Sequence, residues 1–469
     1  MDLRLNEHPV LSFERGKKIR FYLEDKELWG YENETIAAAL HANGVKTLSR
    51  SPKLNRPRGF FCGIGKCSSC LMRVGDMPNE RTCIMPVKEG LKIKIQEGRG
   101  RAAPVFRGIN VRKDRCDVLI VGSGPAGLSA AVETTERGLK TVVVDENPNV
   151  GGQLIKQTHR FFGSEKEYAG TRGIDIPEKL MDSCRSENLT VYNRSSVFGF
   201  YPEGTGVETP DGIILFKTEK EIISAGAEEN FLLFGNNDLP GIYGAGGVQT
   251  LMNVYGIIPG RSVLMVGSGN VGLIVSYQLL QAGVEVKALV EVMDHVGGYY
   301  VHMAKLRRQG VPILLRHTVK EAIGTEQVEG AVIQNMETGE EKLLEVDTIC
   351  IAVGLTPSIQ LLKQAGCRTA SIPELGGEVI LHNEDYETSI KDLYVVGDAA
   401  SIEEASSAMI EGRIAGIAAS LSFLTDKKEE LMEMEELKAE LKSLRSSRFG
   451  EKIVSGERKI MEVYDAPCE

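Results

Sequence analysis

An α/β chain of two nested dinucleotide-binding units, set behind a small α+β module, is predicted by three features of the sequence. The first is a strand–glycine turn–helix–strand pattern that occurs twice, at 117–146 and at 262–291. The second is a late apolar strand, DLYVVGDAA at 392–400, that delivers Gly397 and Asp398 just before a helix. The third is a group of four cysteines between 62 and 83. Apolar strands alternating with helices imply a parallel sheet covered on both faces. At 469 residues the chain is too long for one core, and usual domain sizes suggest about three domains. With 42% apolar residues, burying such cores is no obstacle. A formal net charge of −10 argues against nucleic acid as the main partner, because phosphate binding needs a basic face.

Residues 18–43 read as strand, tight reversal, strand and short helix. Ile19, Phe21 and Leu23 alternate with the period of a strand, and 35–42 has the composition of a helix. A Gly/Cys-rich loop, a strand at 69–74, the last clustered cysteine and a strand at 91–95 complete a module of residues 1–100. GRGRAAPVFRG at 98–108 has a linker composition, and the linker is placed at 101–111.

Cys62, Cys67, Cys70 and Cys83 are spaced C-x4-C-x2-C-x12-C. Thiolates are soft ligands suited to iron, and four complete the coordination of a [2Fe–2S] cluster. Gly63 and Gly65 let the loop fold closely, so that backbone amides point at the sulfurs and help set the potential. The rival is a structural zinc site, since Cys67 and Cys70 alone are C-x2-C. Zinc sites usually use two separated pairs, and a triplet plus one favours the cluster. The spacing opens like that of plant-type ferredoxins, but the fourth cysteine returns much sooner.

In the first unit an apolar strand runs into Gly122-x-Gly124-x-x-Gly127, with Pro125 and Ala126 opening the helix. Gly122 permits the turn, Gly124 lets amides approach a pyrophosphate, and Gly127 allows close helix–strand packing. The pyrophosphate then sits at the positive end of the helix. Asp145, followed by Glu146, ends the second strand and is placed to accept from an adenosine ribose. Two features favour FAD over NAD here. NPNVGGQL brings Gly151, Gly152 and Gln153 towards the cofactor, and Gly397 with Asp398 supplies the ribityl and pyrophosphate contacts. The helix at 403–424 aims its N-terminus at the flavin pyrimidine ring. Gly226 completes the candidates of this unit. The alternative is an NAD site with an unrelated VGD.

The second unit has Gly267, Gly269, Asn270, Val271 and Gly272, and it ends in Glu291. It lies between the two flavin portions, where a pyridine-nucleotide domain is expected. An acidic strand end accepts from a free 2′-hydroxyl and repels a 2′-phosphate, so NAD(H) is preferred to NADP(H). The alternative is a retained fold with a repurposed site that holds another adenine nucleotide. ICIAVGLTP at 349–357, with Gly354, returns the chain to the flavin. The full organisation is 1–100 cluster module, 101–111 linker, 112–245 first FAD part, 246–355 NAD-like insertion, 356–425 second FAD part, and 426–469 charged helix and tail. In the helix at 426–445, Leu431, Met434, Leu437, Leu441 and Leu444 mark a packing or oligomer face.

No C-x-x-C lies near the flavin, which argues against disulfide reduction. Cys116, Cys184, Cys350 and Cys367 read as buried small residues. No metal-like histidine pair, Ser/His/Asp arrangement or acid–base residue stands out, so no catalytic residue is assigned. The start lacks the layout of a secretory signal and no apolar run is long enough to cross a bilayer, so the expected location is cytoplasmic.

RGFFCGIGKCSSC, GSGPAGLSAA with NPNVGGQ, GSGNVGL, and YVVGDAAS with EGRIAG resemble a known family over residues 15–425. It comprises the alpha subunits of heteromeric sarcosine oxidases and dye-linked proline dehydrogenases, and the two smaller subunits of hydrogen cyanide synthase joined in one chain. The resemblance implies a two-dinucleotide-binding-domain flavoprotein of nested Rossmann-like units with an N-terminal ferredoxin-like [2Fe–2S] domain. It implies cluster ligation by Cys62, Cys67, Cys70 and Cys83, and FAD contacts from Gly122, Gly124, Asp145, Gln153 and Asp398. In the family this chain transfers electrons and binds nucleotides, while a separate flavin-containing subunit of the hetero-oligomer oxidises the amine or amino acid. Members often continue into a second cysteine-rich module or a folate-binding domain. Here only Cys468 follows, so one cluster and no folate reaction are expected. Three functions stay open: an electron-transfer subunit passing electrons to NAD or another acceptor, a self-sufficient NADH:acceptor reductase, and a scaffold with a structural adenine nucleotide.

Overall fold

A computed structural model describes residues 2–96, 98–101, 110–161, 165–447 and 450–465. The chain divides into two compact units, one of residues 1–106 and 229–354, the other of 107–228 and 355–469. Most of the expected linker, and Cys468, lie outside the described residues.

In the first unit, strands Lys18–Leu23 and Lys26–Tyr31 form an antiparallel pair. The sheet continues through Lys92–Lys94 and Leu71–Val74 to Met77–Arg81. Ile19 and Phe21 face inward as their alternation requires. Helix Ile36–Ala42 is capped by Thr35, whose hydroxyl accepts from the Ala38 amide at 3.3 Å. All seven of its residues are buried, and their core is continuous with that of the inserted segment. There a parallel sheet runs in the order Ile242–Gly244, Thr348–Ile351, Ser262–Val266, Glu285–Glu291, Ile313–Leu315. Residues 229–245, read from sequence as part of the flavin portion, fall in this unit because Ile242–Gly244 pairs with Thr348–Ile351.

His41 sits inside that shared core. Its Nε2 donates towards the carbonyls of Ile258 and Pro259 at 3.2 and 3.1 Å, and its ring meets Phe60 and Tyr243 edge-on. Burial pushes its pKa down to about 4. The folded chain therefore prefers neutral imidazole, whereas an unfolded histidine takes its proton near 6.5. Stability is full above pH 6.5 and is lost as the pH falls towards 4, by about 3 kcal/mol from this residue. Urea unfolding of the parent and of His41→Gln at pH 7.5 and 4.5 measures the difference. A parent that loses no more stability than the variant on acidification refutes the assignment.

In the second unit the parallel sheet runs Leu189–Tyr192, Thr141–Val144, Val118–Val121, Lys220–Ile223, Leu393–Val395. The strand of the first glycine turn and the strand of the late VGD motif thus lie in one sheet, separated by a single strand. Helix Pro125–Glu136 packs against helix Ala405–Ser420 at glycine: a Cβ on Gly412 would stand 2.0 Å from the Ala126 carbonyl oxygen. Helix Lys428–Leu444 buries Met434, Leu437 and Leu441 in the same core, whereas Leu431 is 49% exposed and does not join that face. The expected tail is a second helix, Glu451–Tyr464, which buries Ile460 against Leu375 and Val379. No described helix is long and apolar enough to cross a membrane.

Candidate functional site

The cysteine loop is held by backbone contacts within the first unit. The Gly244 amide donates to the Phe61 carbonyl at 3.1 Å, and a Cβ on Gly247 would stand 2.2 Å from that oxygen. Phe61 stacks on Phe231 with ring centroids 4.3 Å apart. Gly63 and Gly65 adopt φ of +66° and +79°, a conformation that turns successive amides inward. The amides of Ile64 and Cys67 point at Cys62 Sγ at 3.5 and 3.4 Å, and that of Gly65 points at Cys83 Sγ at 3.2 Å. The thiols meet in a row, Cys67 to Cys62 to Cys83 to Cys70. Hydrogen bonds from Cys67 and Cys83 draw the Cys62 thiol far down towards thiolate. No three described His, Cys, Asp or Glu side chains close round a point suited to a single ion. Four soft sulfurs with inward amides fit a binuclear iron–sulfur group.

Each glycine turn lies at the carboxyl end of its strand, where open α/β sheets bind ligands. At the first, a Cβ on Gly122 would stand 2.3 Å from the Ser224 carbonyl oxygen, and one on Gly127 2.0 Å from the Gly122 oxygen. Gly124 faces open space and caps the helix that Pro125 begins. Gly152 presses on Gly124, with a Cβ 2.8 Å from the Gly124 Cα, and the Gly151 amide donates to the Ser123 carbonyl at 2.8 Å. Gln153 is exposed beside them, and Glu146 is half-buried. Gly397, at the end of the late strand, packs on the helix that follows this turn: a Cβ there would meet that of Ala126 at 3.0 Å. Asp398 is half-buried, and desolvation pushes its carboxyl up to about 6.

Asp145 is fully engaged. Its Oδ2 accepts from the Ser123 amide and hydroxyl at 2.7 and 2.5 Å, and its Oδ1 from the Asn147 amide and side chain at 2.8 and 3.0 Å. Four donors fill the lone-pair capacity of a carboxylate. The aspartate therefore ties the glycine turn to the strand end.

The second turn copies the first. A Cβ on Gly267 would stand 2.2 Å from the Ala352 oxygen and one on Gly272 2.2 Å from the Gly267 oxygen, while Gly269 faces open space. Glu291 Oε2 accepts from the Ser268 amide and hydroxyl at 2.8 and 2.6 Å, and its Oε1 from the Met293 amide at 2.9 Å. Asn270 Oδ1 accepts from the Tyr299 amide at 2.8 Å, and Val271 is exposed at the mouth. The Gly298 amide donates to the Ser268 carbonyl at 2.9 Å, as Gly151 does to Ser123. Sequence reading passed over Gly297, Gly298 and the two serines. The signal was present: Val-Gly-Gly follows Asp145 and Glu291 at the same offset. Gly226 and Gly354, at φ of +71° and +114°, stand in sequence close to two of the three points where the chain passes between units.

The four other described cysteines are buried and free. Burial raises Cys116 to about 12 and Cys184 to about 11, which suppresses the thiolate.

Comparison with known proteins agrees with this architecture. Residues 116–412 match the pyridine nucleotide-disulphide oxidoreductase family and residues 16–98 the 2Fe-2S iron-sulfur cluster binding domain. The alpha subunit of sarcosine oxidase from Rhizobium meliloti (strain 1021) is 26% identical over 85% of this chain and 45% of its own length. The A-type subunit of opine oxidase from Agrobacterium tumefaciens (strain Ach5) is 26% identical over 65% of each chain. The chain thus spans about half the length of the sarcosine oxidase subunits it matches. The L-proline dehydrogenase structure from P. horikoshii superposes with a TM-score of 0.70 at 25% identity, over 92% of this chain and 79% of that one. Fold and family matches together define a chain of two nested dinucleotide-type units with an N-terminal 2Fe–2S domain. The chain belongs to the pyridine nucleotide-disulphide oxidoreductase family, matched over more than half its length.

Proposed function

We propose that this chain is the electron-transfer subunit of a heteromeric amine or amino-acid dehydrogenase. A partner flavin subunit oxidises a sarcosine-, proline- or hydroxyproline-like substrate, and the electrons pass to NAD or another acceptor. The observation that carries the reading is the pairing of an amide-lined four-cysteine loop with two glycine turns of matching geometry in one chain. The similarity to the sarcosine oxidase and opine oxidase subunits supports the heteromeric part. When bound, FAD converts between two-electron exchange with a nucleotide and one-electron exchange with a cluster. Cys62, Cys67, Cys70 and Cys83 hold the cluster. Gly122, Gly124, Gly152, Gln153, Gly397 and Asp398 line the FAD site, Asp145 braces it, and Gly267, Gly269 and Glu291 bind NAD(H) or another adenine nucleotide. The chain works in the cytoplasm.

Anaerobic titration of the cofactor-replete chain with NADH, followed by flavin and cluster absorbance, tests the nucleotide assignment. Bleaching of both chromophores is expected. Reduction by dithionite alone would leave the second turn holding a structural adenine nucleotide. Glu291→Ala is expected to raise the KM for NADH about tenfold or more, through the lost ribose acceptor and the released Ser268 turn. Unchanged kinetics in that variant would exclude catalytic use of NAD there.

A further inference from the structure

One largely buried arginine at the end of a C-terminal helix reaches the residues that hold Gly397 and Asp398. Helix Lys428–Leu444 runs out at Arg445. The guanidinium donates to Glu411 Oε1 at 2.6 Å, to Glu403 Oε2 at 3.1 Å and to the Tyr386 hydroxyl at 3.4 Å, and it pairs with Glu457 at 3.8 Å. The other oxygen of Glu411 accepts the Gly397 amide at 2.7 Å, and the Glu403 amide donates to Asp398 at 3.4 Å. Side-chain exposure is 11% for Arg445, 6% for Glu403 and 1% for Glu411. Three carboxylates therefore face one guanidinium inside the protein. Burial drives the Glu411 carboxyl well above its ordinary range, and the arginine is the nearby positive charge that opposes this. A buried carboxylate whose partner is removed is strongly destabilised locally. Here the group at risk is the one that holds the Gly397 amide, and Gly397 sits in the left-handed region at φ +66° against Ala126.

We propose that Arg445, which lies beyond the family-matched segment, is a positioning residue for FAD: through Glu411 and Glu403 it fixes the Gly397 amide and Asp398, so flavin retention depends on the C-terminal helix. The proposal rests on the FAD reading of this strand end. Arg445 touches no cofactor position itself. It acts through two carboxylates that do the holding.

The test uses the full chain with its cluster in place, freed of flavin and titrated with FAD by fluorescence. The unfolding temperature of the flavin-free protein is recorded in parallel. Arg445→Lys keeps the charge and loses the planar fork, and is expected to raise the FAD Kd about tenfold. Arg445→Met strands Glu411 and is expected to raise it about a hundredfold. Adding Glu411→Gln to Arg445→Met removes the stranded charge while the glutamine oxygen still accepts the Gly397 amide, and is expected to recover most of that loss. Should Arg445→Met fail to fold, the Lys variant and the double variant carry the test. Parent-like affinity in Arg445→Lys overturns the proposal. So does a double variant that regains its unfolding temperature without regaining FAD affinity, because that outcome leaves Arg445 a packing role only. A parent chain that binds no FAD refutes the flavin reading itself, whereas tight and equal binding by parent and variants refutes only the role of Arg445.

Discussion

Cys83→Ser removes the iron–sulfur chromophore and leaves FAD bound. Cys83 is the short-return cysteine: it touches both Cys62 and Cys70, and the Gly65 amide points at its sulfur at 3.2 Å. It therefore links the other end of the module to the loop that carries the remaining three sulfurs. A serine oxygen is a harder donor than a thiolate, and three thiolates leave one iron incompletely coordinated. The residues proposed to hold FAD belong to the other compact unit and have their own core. Iron and sulfide are expected to fall to near zero per chain, with the flavin to protein ratio unchanged. Cys184→Ala, a buried thiol of the flavin unit, is the control. A full complement of iron and sulfide in Cys83→Ser would exclude the four-cysteine assignment. Simultaneous loss of FAD would exclude the independence of the two sites.

Gly124→Ala and Gly127→Ala separate a glycine needed by the ligand from one needed by the fold. At Gly124 the backbone is extended, at φ −70° and ψ −174°, so alanine fits without strain, and its Cβ meets no protein atom within 4 Å. The open space lies at the start of helix Pro125–Glu136, where a pyrophosphate is drawn to unpaired amides. Gly124→Ala is expected to keep the unfolding temperature of the flavin-free chain and to weaken FAD about tenfold to a hundredfold. At Gly127 the added Cβ would stand 2.0 Å from the Gly122 oxygen and 2.5 Å from the Ser224 hydroxyl. That variant is expected to lose about 1–3 kcal/mol of stability whether or not flavin is present. Denaturant unfolding with and without FAD distinguishes the two. Parent-like FAD affinity in Gly124→Ala would remove the pyrophosphate from this turn.

The amino-acid sequence by itself determined the ligand chemistry and the repeated unit. Four cysteines at C-x4-C-x2-C-x12-C and two glycine turns with acidic strand ends are local patterns. Their spacing reflects backbone constraints that operate within a few tens of residues. The late VGD strand was legible for the same reason, and the sheet sets it one strand away from the first turn. Tertiary structure decided what depends on contacts distant in sequence. Asp145, read as a ribose acceptor, spends its oxygens on Ser123 and Asn147, because the strand end lies against the turn it follows. Residues 229–245 join the inserted segment because a strand pairing with Thr348–Ile351 claims them. Arg445 carried no signal in a charged helix. Its partners Glu403 and Glu411 lie 42 and 34 residues away, and only the packing of that helix on Ala405–Ser420 buries the three charges together. Periodicity and motif report forces that act locally. The value of a buried charge depends on which distant groups the fold brings to it.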